Sequence, residues 1–142
     1  MISVDTNLLI YAADPDSPKH ERSREFLEPL AQRKDFALCE LVLVELYMQL
    51  RNPRVFRNPY SAKAAADYCA QLRRNPYWRY LDYDAAIRME LWRWARATRS
   101  GFRHIIDMRL GLTLRHHGVT EFATANVKDF KAVGFKRVWN PL

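Results

Sequence analysis

The chain of 142 residues is poor in glycine, with four, and in cysteine, with two. Four glycines leave no room for a glycine-rich loop of the kind that cradles phosphates. Cys39 and Cys69 show no Cys-x-x-Cys spacing and no histidine at zinc-ligand distance, so neither a disulfide framework nor a zinc site is expected. Free buried thiols suit a reducing compartment, and a cytoplasmic protein is the expectation. No apolar run approaches the ~18–20 residues that span a bilayer. The opening Met1–Asn7 has no basic stretch followed by an apolar one, so no secretory leader is expected. No Ser-His-Asp or Cys-His pattern is recognisable. Negative charge is also short: 16 Asp+Glu against 23 Lys+Arg give a formal charge of +7. That surplus points to a polyanionic partner, either nucleic acid or an acidic protein.

What is present describes a globular chain. Hydrophobic residues make up 49%, too many for a disordered segment. The length suits one domain, residues 1–142, with a core of its own. Short apolar runs alternate with helix-length segments. Strands are expected at residues 2–4, 36–38, 78–81, 119–124 and 135–139. Helices are expected at 7–12, from the Ser17-Pro18 pair to about Arg33, at 40–51, 62–74, from Asp84 to about Arg99, and at 104–117, with a short turn or helix at 127–131. Asn52-Pro53 and Asn58-Pro59 mark a loop, and Gly118 closes the helix before it. This alternation predicts an α/β fold with a mostly parallel sheet and helices on both faces. Ligands of such folds bind beyond the carboxyl ends of the strands.

The acids fall where that rule directs attention. Asp5 ends the first strand, where it also suits a helix N-cap. Glu45 lies within Leu41–Met48, with Leu41, Val42, Met48 and Gln49 as its helical neighbours. A lone carboxylate there is costly unless it meets a cation, a hydrogen-bond network or a cleft, and a buried salt bridge is the plain alternative. Glu40, rotated about 140° from it, reads as a first-turn acid favoured by the helix dipole. Asp107 shares its helix face with Leu110, Gly111 and Leu114, and it too could be a dipole-stabilised first-turn acid. Asn126 and Asp129 follow the strand at 119–124, where turn and solvated roles also suit them. Like charges gathered in one cleft repel, and a divalent cation resolves the repulsion. Oxygen ligands without cysteine or paired histidine select Mg²⁺ or Mn²⁺. In a basic protein, such an ion suggests phosphodiester chemistry.

Four motifs in order then resemble the PIN-domain ribonucleases, specifically the VapC-type toxins of toxin–antitoxin pairs. They are Val4-Asp5-Thr6-Asn7, Leu43-Val44-Glu45-Leu46, Ile106-Asp107, and Thr124-Ala125-Asn126-Val127-Lys128-Asp129-Phe130, with Val138-Trp139-Asn140-Pro141 as a fitting end. The resemblance spans essentially the whole chain. It implies a three-layer α/β/α sandwich with a short sheet, and an endoribonuclease in which Asp5, Glu45 and Asp107 bind Mg²⁺ or Mn²⁺ and position a hydrolytic water. Many members carry a fourth acid where this chain has Asn126; Asp129 could restore the charge, and the number of ions is left open. Thr6 and Thr124 are implied as hydroxyls that orient the carboxylates. Gly111 stands where alanine is usual, and Glu40 is an extra acid near the site. The implied partners are an RNA substrate, a cognate antitoxin that occludes the cleft, and a second copy of the chain, with no membrane. The alternative readings are a catalytically weak PIN-fold module that binds RNA or protein, and a nuclease acting on DNA.

The remaining candidates are basic or imidazole groups. Arg88, Trp92, Arg96 and Arg99 recur at helical spacing, a row that could track an RNA backbone and stack a base, or simply be a solvated face. Arg51, Arg54 and Arg57 crowd the Asn-Pro loop, where substrate or antitoxin could meet them. Arg109 should point away from Asp107, about 200° around the helix. His104 lies one turn before Asp107, and a role toward ion or water is open.

Overall fold

The structure is a computed structural model describing residues 1–142. Strand β1 (Ile2–Val4) leads into α1 (Thr6–Ala13) and α2 (His20–Leu27), then β2 (Ala37–Cys39). Helices α3 (Glu40–Leu50) and α4 (Ala62–Arg73) precede β3 (Arg79–Leu81). Helices α5 (Arg88–Ala97) and α6 (His104–His116) precede β4 (Glu121–Ala123), and α7 (Val127–Phe130) precedes β5 (Arg137–Trp139).

All strand pairs are parallel: β1-β4-β5 form one sheet and β2-β3 another, and a lone bridge between Ile2 and Phe36 joins them. The spatial order is therefore β3-β2-β1-β4-β5. The chain runs outward from β1 through β2 to β3, then returns to the other side of β1. Right-handed crossovers place helices before the return on one face and those after it on the other. The packing agrees: α1 lies against α2 and α3, and α3 against α4, while α6 lies against α5 and α7. The result is the expected α/β/α sandwich. The direction of winding reverses between β1 and β4, and an α/β sheet opens a crevice at such a point.

The β1, β2 and β4 strands read as buried apolar runs because both faces are covered: Ile2, Val4, Ala37, Leu38, Phe122 and Ala123 are all buried. The strands are shorter than expected at 119–124 and 135–139. Val119 leaves the ladder because its N–H bonds to the Leu114 carbonyl, closing α6 through Gly118, whose φ of +90° suits glycine. The second expected helix is also corrected. Ser17 caps only a turn, its Oγ accepting from the Lys19 N–H at 3.2 Å, and α2 begins at His20. Pro29 lacks an N–H donor, so the helix tightens into a 3₁₀ turn over Glu28–Gln32 instead of running to Arg33. Asp84 does act as a cap, its Oδ1 accepting from the Ala86 N–H at 2.8 Å, but of a short 3₁₀ turn before α5. That helix stops at Ala97, so Arg99 lies beyond it and the expected row of Arg88, Trp92, Arg96 and Arg99 is broken before its last member. No helix is long and apolar enough to cross a membrane.

Candidate active site

At the reversal point Asp5 leaves β1 and faces the end of β4. Its carboxylate caps α1, with Oδ1 accepting from the Thr6 N–H at 2.7 Å. Oδ2 accepts from the Thr124 hydroxyl at 2.6 Å and from the Asn7 side-chain amide at 3.0 Å. The capping reading and the site reading are thus both correct for this residue. The cap aims one oxygen at the helix, and the other is held across the sheet by a residue at the end of β4. Burial still pushes the Asp5 carboxyl above its usual range, against the lowering effect of those three donors.

Glu45 reaches the same place from α3, whose other face buries Val42, Leu43, Leu46 and Leu50. Its Oε2 accepts from the Thr6 hydroxyl at 2.8 Å, so Thr6 connects the two acids: its N–H serves Asp5 and its Oγ1 serves Glu45. Burial, and then the charge of Asp5, raises the Glu45 pKa. Asp107 enters from the first turn of α6. Its pKa is pushed up to about 6, first by burial and then by Asp5, with His104 pulling the other way and Asp129 and Glu45 adding to the rise. Asp107 thus stands in the fields of Asp5, Glu45 and Asp129, and Asp5 in that of Asp129.

Asp5, Thr6, Asn7, Glu45, Asp107 and Asn126 line a cleft of about 430 Å³ together with the apolar Ile10, Leu41, Val44, Met48 and Ile106. Asp129 lies outside this cleft. It faces an adjoining one of about 670 Å³, and Asp107 borders both. None of the four acids joins any of the seven ion pairs in the chain. The salt-bridge alternative for Glu45 is thereby removed. In a chain of net charge +7, the arginines leave this cluster alone.

Oxygen donors without sulfur or imidazole are a hard-ion set. As the side chains stand, no three acids, histidines or cysteines are grouped so as to hold a metal ion. Open carboxylates of this kind fit Mg²⁺, which keeps several waters and takes one or two protein carboxylates, better than they fit a dehydrated ion. Asp5, Glu45 and Asp107 are the residues that would hold it.

Residues 2–136 match the PIN domain family. The chain belongs to the PIN-domain family. It is 48% identical over 142 residues to Ribonuclease VapC24 of Mycobacterium tuberculosis, in strains CDC 1551 / Oshkosh and ATCC 25618 / H37Rv, covering all of this chain and 97% of that one. This is a VapC-type PIN domain. Two solved structures share its fold. Mycobacterium tuberculosis VapC20, a sarcin-ricin-loop-cleaving toxin, superposes with a TM-score of 0.66 at 19% identity, over 95% of this chain and 96% of that one. FitAB bound to a DNA fragment gives 0.67 at 19%, over 99% and 95%.

Within this PIN domain the other candidates sort by position. Thr124 and Thr6 do orient carboxylates, as described. Asn126 is exposed at the mouth of the cleft, and its N–H donates to the Thr124 hydroxyl at 2.9 Å. Glu40 is not near the site: it pairs with Arg73 of α4 at 2.5 Å, on another face of α3. His104 lines the second cleft beside Asp107 and Asp129, but its Nε2 is engaged with the backbone. Its Nε2 lies 2.7 Å from the Asp129 carbonyl, and its ring stands edge-on to Trp94 at 5.3 Å, so it ties α7 to α6. Arg109 points away as expected, 4.2 Å over the Tyr83 ring. Arg88, Trp92 and Arg96 are exposed on α5 and line neither cleft. Arg51 folds back on Tyr47, whereas Arg54 and Arg57 line a hollow that shares Ile10 with the first cleft.

Sequence reasoning missed Asn7. Its amide donates to Asp5 and, at 3.3 Å, to the Thr124 hydroxyl, while its Oδ1 accepts from the Ala125 N–H. It stitches the β1 end to the β4 end. A polar amide two residues after a strand-ending acid was the available signal.

Proposed function

We propose that the protein is a Mg²⁺- or Mn²⁺-dependent endoribonuclease that acts as the toxin of a toxin–antitoxin pair. The observation that carries this reading is the unpaired acid cluster at the winding reversal: three carboxylates with raised pKa values share one open cleft, and no arginine neutralises them. A phosphodiester brings more negative charge, so the cleft and its substrate are compatible only with a cation between them. Bound there, a divalent ion supplies neutralisation of the scissile phosphate and a lowered pKa for the attacking water.

The chain's own residues supply position. Asp5 is fixed by three donors and cannot swing away from the cleft. Glu45 is set by the Thr6 hydroxyl, so both acids depend on one threonine. Asp107 enters from the first turn of α6, and its carboxyl, raised to about 6 by burial and the neighbouring acids, marks the charge a bound cation would relieve. The names of the similar proteins, a ribonuclease and a sarcin-ricin-loop-cleaving toxin, support RNA as substrate. The FitAB complex supports a protein antitoxin as partner. Exposed Met89 and Trp92 on α5 suit pairing of two copies, which light scattering measures directly.

Incubation with total cellular RNA, in Mg²⁺, Mn²⁺ or EDTA and beside Asp107→Asn, tests the reading. Discrete fragments that need the ion and vanish in the variant are expected. Exposed Asn126 favours one second reading, a weakly catalytic RNA- or protein-binding module. Folded protein that binds RNA and never cuts it would establish that instead.

A further inference from the structure

We propose that the cleft adjoining the catalytic one is a nucleotide subsite, in which Phe102 stacks a base of single-stranded RNA while Arg103 and Lys128 hold the neighbouring phosphate. This rests on the ribonuclease reading and adds the residues that grip the strand beside the cut.

The second cleft, about 670 Å³, opens directly off Asp107 and lies within the size range of ligand sites. A strand whose phosphate lies at the acid cluster therefore places its next nucleotide here. Phe102 is 87% exposed, more than any other large apolar side chain of the protein. It stands on the segment between α5 and α6, and the Arg103 guanidinium lies 5.5 Å from its ring centre. Such a pair presents a flat π face beside a fixed positive charge.

Charge is arranged in two levels. Asp107 and Asp129 are half-buried at the floor, whereas Arg103 and Lys128 are exposed at the rim. Neither cation joins an ion pair, although both line the same cleft as the two carboxylates. An anion is repelled by the floor and drawn to the rim. Phe102 is the lone apolar residue lining the cleft, so an apolar peptide side chain would find little to bury against. A base needs one π face and tolerates polar surroundings, and single-stranded RNA can turn an unstacked base outward.

The test uses a fluorescent single-stranded RNA oligonucleotide spanning a mapped cleavage site. Anisotropy gives Kd in the non-cleaving Asp107→Asn background, and cleavage assays give KM in the active chain. Phe102→Ala should raise Kd and KM about 5- to 100-fold, Phe102→Trp should stay close to the parent, and Lys128→Gln should weaken binding and flatten its salt dependence. An abasic residue at one position beside the cut should weaken the parent as much as Phe102→Ala does, and should weaken Phe102→Ala no further. Phe102 is exposed, so these variants keep the parental melting temperature. If Phe102→Ala binds and cuts like the parent, the subsite is refuted while the ribonuclease reading stands; loss of antitoxin capture in that variant would then assign the face to protein. If every abasic position adds its full loss to that of Phe102→Ala, the stacking is refuted. If the parent neither binds nor cuts RNA, both readings fall together.

Discussion

Asp107→Asn should make the ion-free protein more stable while it abolishes cleavage. The Asp107 carboxyl rises from 3.8 to about 6 on folding. At 1.36 kcal/mol per pKa unit, that is ~3 kcal/mol of charge discomfort when the group is ionised. The group is only half-buried, and solvent screening brings the figure to ~1–2 kcal/mol. The sign follows from proton counting. Between pH 3.8 and 6 the folded state holds more protons at this site than the unfolded state, so stability falls as pH rises through that window. Asparagine has no charge to lose. Scanning calorimetry in EDTA at pH 7.5 should show the variant melting roughly 4–8 °C higher. The advantage should shrink as pH falls below 6 and be largely gone near pH 4. Added Mg²⁺ should raise the melting temperature of the parent far more than that of the variant, because ligand binding stabilises only a chain that binds it. A variant less stable than the parent at pH 7.5, or a difference that ignores pH, would refute the account of the cluster as mutually repelling acids.

Four other outcomes are expected. Glu45→Gln should abolish cleavage with little change in urea unfolding, since glutamine still accepts from the Thr6 hydroxyl. Thr124→Val should cost about 1.5–3 kcal/mol in urea unfolding and lower activity, because it removes the 2.6 Å donor from buried Asp5. Gly111→Ala should destabilise by about 1–3 kcal/mol despite the better helix propensity of alanine, because the new methyl would lie 2.6 and 2.8 Å from the Val133 methyls; adding Val133→Ala should recover much of the loss, as melting curves would show. Asn126→Asp should tighten Mn²⁺ binding in calorimetric titration and lower the ion-free melting temperature, since it adds a fourth charge to the first cleft.

Much of this molecule could be read before its structure. Asp5 and Asn126 were legible because a parallel sheet puts ligands beyond its strand ends: Asp5 directly follows β1, and Asn126 lies three residues past β4. Glu45 and Asp107 were legible as carboxylates on apolar helix faces. Their meeting was not, because it depends on where α3 and α6 pack, and helical spacing carries no such information. The break at Pro29 was overlooked in favour of the Ser17-Pro18 start signal, although a proline without a donor was in plain view. Phe102 escaped notice for another reason. Periodicity finds aromatic residues that are buried, and an aromatic side chain on an irregular segment leaves no periodic trace. Glu40 seemed near the site only through its closeness in sequence to Glu45, and its pairing with Arg73 is a tertiary fact.

The bond between Thr124 and Asp5 joins residues 119 positions apart. Its consequence concerns birth on the ribosome. A growing chain exposes Asp5 almost at once, Glu45 in its first third and Asp107 late, and Asp5 has only its local donors from Thr6 and Asn7 until β4 emerges with Thr124. Synthesis at about 5–20 residues per second therefore imposes a delay of several seconds between the first catalytic residue and a finished centre. The arrangement of Asp5 is therefore completed only after β4 has been made, long after Asp5 itself.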